Sequence, residues 1–192
     1  LFAVGGGNHS LAPAKECYER QKELSGPDQS AELPSRYALV ELVNLHDDSL
    51  EFEPIHRVVF GVQPKELLDA FLRENEGAHL GKGEGQTIEF AYADGAGHVT
   101  VPHPTAQLPV GTLQNFLDRW LAEHGGRGDY IHGDDVARRL GLGQGCIAFL
   151  LPAMGKDQLF PTVIFDGVLP RKTFSMGHAN DKRFYLEARR IR

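Results

Sequence analysis

Leu1-Phe2-Ala3-Val4-Gly5-Gly6-Gly7-Asn8-His9-Ser10, running on through Leu11 to Leu24, is the stretch that decides the fold. Its apolar opening reads as a strand, its glycines as a tight loop and its continuation as a helix. Pro13 lacks an N–H and fits most easily in a first helical turn, so the helix is expected to begin near Ser10 or Leu11, with Ser10 as its cap. Glycines between a strand and a helix let the backbone approach a ligand closely. The helix start then offers free N–H groups and the positive end of its dipole to an anion, phosphate above all. Gly7, Asn8, His9 and Ser10 are therefore the candidate anion-binding residues, the alternative being a plain tight turn. The segment has no Gly-Lys-Ser/Thr and does not follow the G-x-G-x-x-G spacing, so neither common nucleotide motif is present. A strand that opens so abruptly is expected to follow earlier residues of a longer protein.

Outward from this joint, Ser25 to Ser35 carries Gly26, Pro27 and Pro34 and reads as a linker. Arg36 to Leu45 reads as a buried strand that contains Glu41 and Asn44, and Leu50 to Phe60 as a second strand pairing with it. Pro64 marks a helix start, with Leu67, Leu68, Phe71 and Leu72 at amphipathic spacing. Thr87–Ala93 and His98–Val101, bracketed by glycines, predict a small β hairpin. Leu113, Phe116, Leu117, Trp120 and Leu121 predict a helix from about Thr112 to Gly125. Asp134 or Asp135 is placed to cap a short helix reaching Leu140. Cys146–Leu151 is an unbroken apolar run, expected as a strand buried on both faces. From Leu159 onward a strand or loop through Val163–Phe165, a turn at Leu169–Lys172 and a basic tail with a last helix complete the reading. The class is α/β of the mixed α+β kind: a mixed sheet with packed helices and a hairpin region. Residues 1–60 form the strand–loop–helix region with two strands and residues 61–192 a mixed region, the two open to being one domain.

The 192 residues are 41% hydrophobic and 24% charged, with a net charge of −6. That balance suits a globular chain and gives no basic footprint for nucleic acid. Cys17 and Cys146 are far apart, form no C-x-x-C pair and each sit in an apolar stretch, which suits buried free thiols in a reducing compartment. No run reaches the roughly 20 apolar residues of a membrane span. A cytoplasmic protein without membrane or nucleic-acid partners is expected; the oligomeric state stays open.

Glu41, a carboxylate among apolar neighbours, must be paired, neutral or turned to a cleft or to water. His56-Arg57 beside an apolar strand could hold an anion, or pair with Glu51 or Glu53. Arg171-Lys172, with Ser175, His178, Asp181, Lys182 and Arg183, concentrates positive charge in an acidic chain and suggests an acidic substrate or a solvated face. The histidine spacing offers no metal tetrad, and Arg127-Gly128-Asp129 reads as a turn.

Three stretches together carry a resemblance: Gly7-Asn8-His9-Ser10-Leu11-Ala12 with Ala14-Lys15; Tyr37 to Asn44 with Ile55-His56-Arg57; and Leu169 to His178. In this order they resemble the C-terminal half of the prokaryotic domain-of-unknown-function family ten-fifteen. The loop of that family is similar to one in the ParB and sulfiredoxin-like superfamily, which includes free serine kinases, and its members occur near serine-biosynthesis genes. The resemblance implies a small-molecule kinase using ATP or ADP with magnesium, acting on serine or phosphoserine. His9 and Glu41 would be catalytic, and Gly7, Asn8, His9, Ser10, Arg57, Arg171 and Lys172 would hold the cofactor. A ligand-sensing or scaffold domain and a phosphoamino-acid hydrolase are the alternatives. The chain departs from the family loop at Gly6, where the family has Asp, and from the kinases at Ser10, where they have Arg.

Overall fold

The computed structural model describes residues 2–5, 7–25 and 27–177. The chain separates into two compact units, one within Leu1–Leu50 and one within Glu51–Lys182. That division assigns all of the strand before residue 60 to the second unit.

In the first unit β1 (Phe2–Gly5) leads past residue 6 into α1 (Gly7–Leu24), and β2 (Glu41–Asn44) pairs antiparallel with β1. A short α2 (Pro27–Ser30) and a 3-10 turn at Pro34–Arg36 connect them. Helix α1 starts earlier than Pro13 suggests, and Pro13 lies inside it. The only ladder bond the ring forfeits is the one to the His9 carbonyl, still within the first turns, so the helix continues past it. Strand β2 is shorter than the predicted Arg36–Leu45 run because β1 offers ladder partners only from Phe2 to Gly5, opposite Asn44 to Glu41. It is also exposed rather than buried. Leu39 is fully exposed and Leu42 66% exposed. The turn after it forms as expected, with Asp47 accepting from the Ser49 N–H at 2.9 Å.

The second unit is built on a seven-stranded sheet in which every described pairing is antiparallel. Its strands are β3 (Phe52–Phe60), β4 (His79–Leu80), β5 (Gln86–Tyr92), β6 (Gly95–Val101), β7 (Arg127–His132), β8 (Cys146–Leu150) and β9 (Phe174–Met176). They lie in the order β4-β6-β5-β8-β3-β7, with β9 beside the start of β3. The predicted partner of β3 was the Arg36–Leu45 run; its actual partners are β7, β8 and β9, which come later in the chain. The hairpin forms as β5–β6, and Cys146–Leu150 forms the buried strand β8. Residues 127–129 belong to β7, not to a turn.

Helices cover both faces. Across the register Val58, Ala148 and Ala91 share one face, and α5 (Asp134–Gly141) packs there through Ala137 and Leu140. The approach is close enough to require glycine at its end: a Cβ on Gly141 would stand 2.6 Å from the Ala148 Cβ and 2.7 Å from the Ala91 carbonyl oxygen. Gly133, rather than either aspartate, is the N-cap of α5, and no side chain caps it. On the other face α4 (Pro109–His124) buries Leu113, Phe116, Leu117 and Trp120. Phe116 meets Phe71 of α3 (Pro64–Glu74) edge to face, ring centroids 5.1 Å apart. Val163–Phe165, predicted extended, lies in α6 (Leu159–Asp166), and Ile164 and Phe165 are exposed. The aliphatic and aromatic run misled because such runs suit buried strands and helices alike. The predicted C-terminal helix and His178, Asp181, Lys182 and Arg183 lie outside the described residues.

Candidate functional site

Of the strand–glycine–helix joint read from the sequence, the described residues show strand β1 ending at Gly5 and helix α1 beginning at Gly7, earlier than the expected start near Ser10 or Leu11. Gly7, Asn8 and His9 thus stand in the first turn of α1, where a helix's N–H groups point ahead of its own ladder, and Ser10 follows them. Its first turn contains no acidic residue to neutralise the positive end of the dipole. Ser10 is exposed and lies within the helix rather than at its cap. The pairing of β1 with β2 sets Glu41 directly across from Gly5, the last residue of the strand before the loop. Glu41 is exposed. Two segments separated by the whole of α1 and its linker thus bring a carboxylate-bearing residue to the glycine end of β1.

The other candidates lie in the second unit, where the fold gathers Arg57, Arg171 and Lys172 around Tyr130. Arg57 is 2% exposed and spends its guanidinium on protein acceptors: Nε donates to the Gln114 side-chain oxygen at 2.7 Å, and the terminal nitrogens to the carbonyls of Ile55 at 2.7 Å and Arg171 at 2.8 Å. The Tyr130 ring lies 4.6 Å from the guanidinium. Burial pulls the Arg57 pKa down to about 10, which still leaves it charged at neutral pH. Gln114 passes the interaction on, donating to Asp118 at 2.8 Å, and Asp118 faces the Arg171 guanidinium at 3.8 Å. Arg57 therefore pins the 171–172 turn to β3 by its backbone while Asp118 restrains the Arg171 side chain. Lys172 adopts a left-handed φ of 49°, and its Nζ stands 5.7 Å from the centroid of the Tyr130 ring. Arg171 and Lys172 remain exposed; Arg57 is committed inside the protein.

His56 is likewise internal, at 1% exposure. The Leu151 N–H donates to its Nδ1 at 3.1 Å, which makes Nδ1 an acceptor and leaves the proton on Nε2, donated to Asp134 at 2.8 Å. Burial lowers its pKa, with Asp134 opposing, so the ring is a neutral clasp between β3, β8 and the start of α5. Glu53, the expected partner of His56 or Arg57, meets His132 instead, at 3.0 Å. Arg138 of α5 forks onto Glu89 of β5, and this bond holds the Glu89 carboxyl below its ordinary value and Arg138 above its own. Tyr130 and Gln114 were not singled out in the sequence, since an aromatic on an alternating strand and an amide on an apolar helix face carry no signal until the sheet is assembled.

Among the described residues, no group of three or more His, Cys, Asp or Glu side chains could hold a metal ion. Nor is any described helix long and apolar enough to cross a membrane. Cys17 and Cys146 are free and partly exposed, not fully buried.

The architecture is that of a mixed α+β protein whose smaller unit carries the two-stranded ribbon and helix α1. The chain belongs to the family described as protein of unknown function DUF1015, whose model matches residues 1–120. No curated protein and no solved structure matches it, and no comparison carries the likeness to the ParB and sulfiredoxin-like loop.

Proposed function

We propose that the first unit binds the phosphate of a small phosphorylated molecule at the start of α1. The observation that supports this reading is the joint itself: β1 ends at Gly5, α1 begins at Gly7 with no acidic residue in its first turn, and Glu41 is registered across from Gly5. In phosphoryl transfer a protein mostly positions and neutralises, so helix-start donors and one nearby carboxylate are parts that a nucleotide-dependent kinase uses. Asn8, His9 and Ser10 would hold phosphate, and Glu41 would serve as base or magnesium ligand for transfer between ATP or ADP and serine or a similar acceptor. The reading rests on the first unit alone. Arg57 has no part in it, because its nitrogens are already engaged; its role is to position Arg171 and Lys172.

Calorimetric titration of ATP, ADP and phosphoserine into the chain, with and without magnesium, tests the proposal. Saturable binding that His9→Ala removes, with the circular dichroism unchanged, is the expected result. Equal affinity in His9→Ala would overturn the site. Binding without turnover would favour a ligand-sensing domain, and release of inorganic phosphate from phosphoserine a hydrolase.

A further inference from the structure

The second unit has a cleft of about 530 Å³ where the loop from β3 into α3 meets the end of α4. It is lined by Gln63, Glu66, Trp120, His124, Gln144 and Gly145, among others. Its rim is fixed by the Val62 N–H, which donates to the Gly145 carbonyl at 3.0 Å, and by Gly61 and Gly145, both at positive φ. Its wall is the Trp120 indole with the His124 imidazole stacked on it, centroids 4.6 Å apart and planes within 9°.

The chemistry of this lining has one sign. Nδ1 of His124 lies 3.0 Å from the Trp120 carbonyl. A carbonyl only accepts, so Nδ1 carries the hydrogen, and the neutral ring keeps an unprotonated Nε2 as an acceptor. Glu66 adds a carboxylate, Gln63 and Gln144 add amide oxygens, and no Lys or Arg is among the described lining residues. The helix ends do not change the balance. The carbonyl end of α4 favours a cation and the amino end of α3 disfavours one, so the two ends oppose each other and Glu66 decides the sign. Trp120 is 6% exposed beneath the stacked, exposed His124 ring, so the pair gives the carbon skeleton of an organic cation a flat wall to lie against.

We propose that this cleft binds a small alkylammonium compound, its ammonium group taken by Glu66 and Nε2 of His124 and its methylenes lying against Trp120 and His124. The site is separate from the phosphate site proposed for α1 and stands or falls independently of it.

Trp120 is the only tryptophan in the chain, so its fluorescence reports on this cleft alone. The probes are 1,4-diaminobutane and butylamine, titrated into the whole chain at constant ionic strength, with butane-1,4-diol, sodium chloride and inorganic phosphate as comparisons. The expected result is a saturable change with the amines and none with the others. Glu66→Gln should weaken it about 10-fold, the loss of one charge-assisted hydrogen bond. Glu66 is exposed, so the variant should keep the wild-type melting profile. No saturable change with either amine, an equal response to the diol, or unaltered affinity in Glu66→Gln would each overturn the proposal.

Discussion

Leu42 and Ile147 sit in apolar runs of similar character, yet Leu42 is 66% exposed and Ile147 is wholly buried. The difference lies in what surrounds each strand. Strand β8 has β3 on one side and β5 on the other, α5 over one face and the α4 layer over the other, so each of its residues finds a neighbour. Among the described residues, strand β2 has a single four-residue partner, and the ribbon they form leaves Phe2, Val4 and Leu42 exposed. An apolar run specifies extended chain; burial needs a sheet with something on each side.

The sharpest way to break this comparison is to cut into each region and compare stabilities by denaturant unfolding followed by far-ultraviolet circular dichroism. Phe116→Ala removes a fully enclosed ring that meets Phe71, and should cost about 3–5 kcal/mol. A loss below about 1 kcal/mol would mean that the second unit is not organised around this core.

Acidification probes the same unit through one clasp. Burial depresses the His56 pKa below its ordinary 6.5, so as pH falls the unfolded chain takes up the proton first. Stability is therefore full above about 6.5 and is lost as pH drops through the depressed folded value, at no more than about 1.4 kcal/mol per pH unit. His56→Gln can accept from Leu151 and donate to Asp134 without titrating, and should flatten that slope between pH 7 and 5. An unchanged slope would assign the acid sensitivity to another group.

The smallest effect belongs to the ribbon. Leu42→Ser should shift stability by less than about 0.5 kcal/mol, since its side chain already faces outward. A cost above about 2 kcal/mol would show that this face is covered in solution, and would erase the contrast with Ile147.

The local elements were largely legible before any coordinates. Helices α3, α4 and α5, the β5–β6 hairpin and β8 lie where periodicity, proline and glycine set them, because those signals act over a few residues. Pairing was not legible. The true neighbours of β3 come from β7, β8 and β9, and nothing in the Phe52–Phe60 run names a partner that lies tens of residues ahead. The candidates Gly7–Ser10 could be named from residue type and order alone. The commitment of Arg57 could not, because its acceptors are two backbone carbonyls and an amide from distant elements. For the same reason the sequence could not distinguish a neutral clasp at His56 from an anion ligand.

The strand order has a consequence for how the second unit forms. Strand β3 and the β5–β6 hairpin come early in this unit, but in the sheet they are held apart by β8, which arrives only at Cys146–Leu150. A chain emerging from the ribosome therefore carries two unsatisfied strand edges until β8 is synthesised, and the sheet closes late through long-range pairing of the kind that slows folding. Such edges are also the places where partly made chains adhere to one another. Over that interval the insertion of β8 is what closes both edges at once.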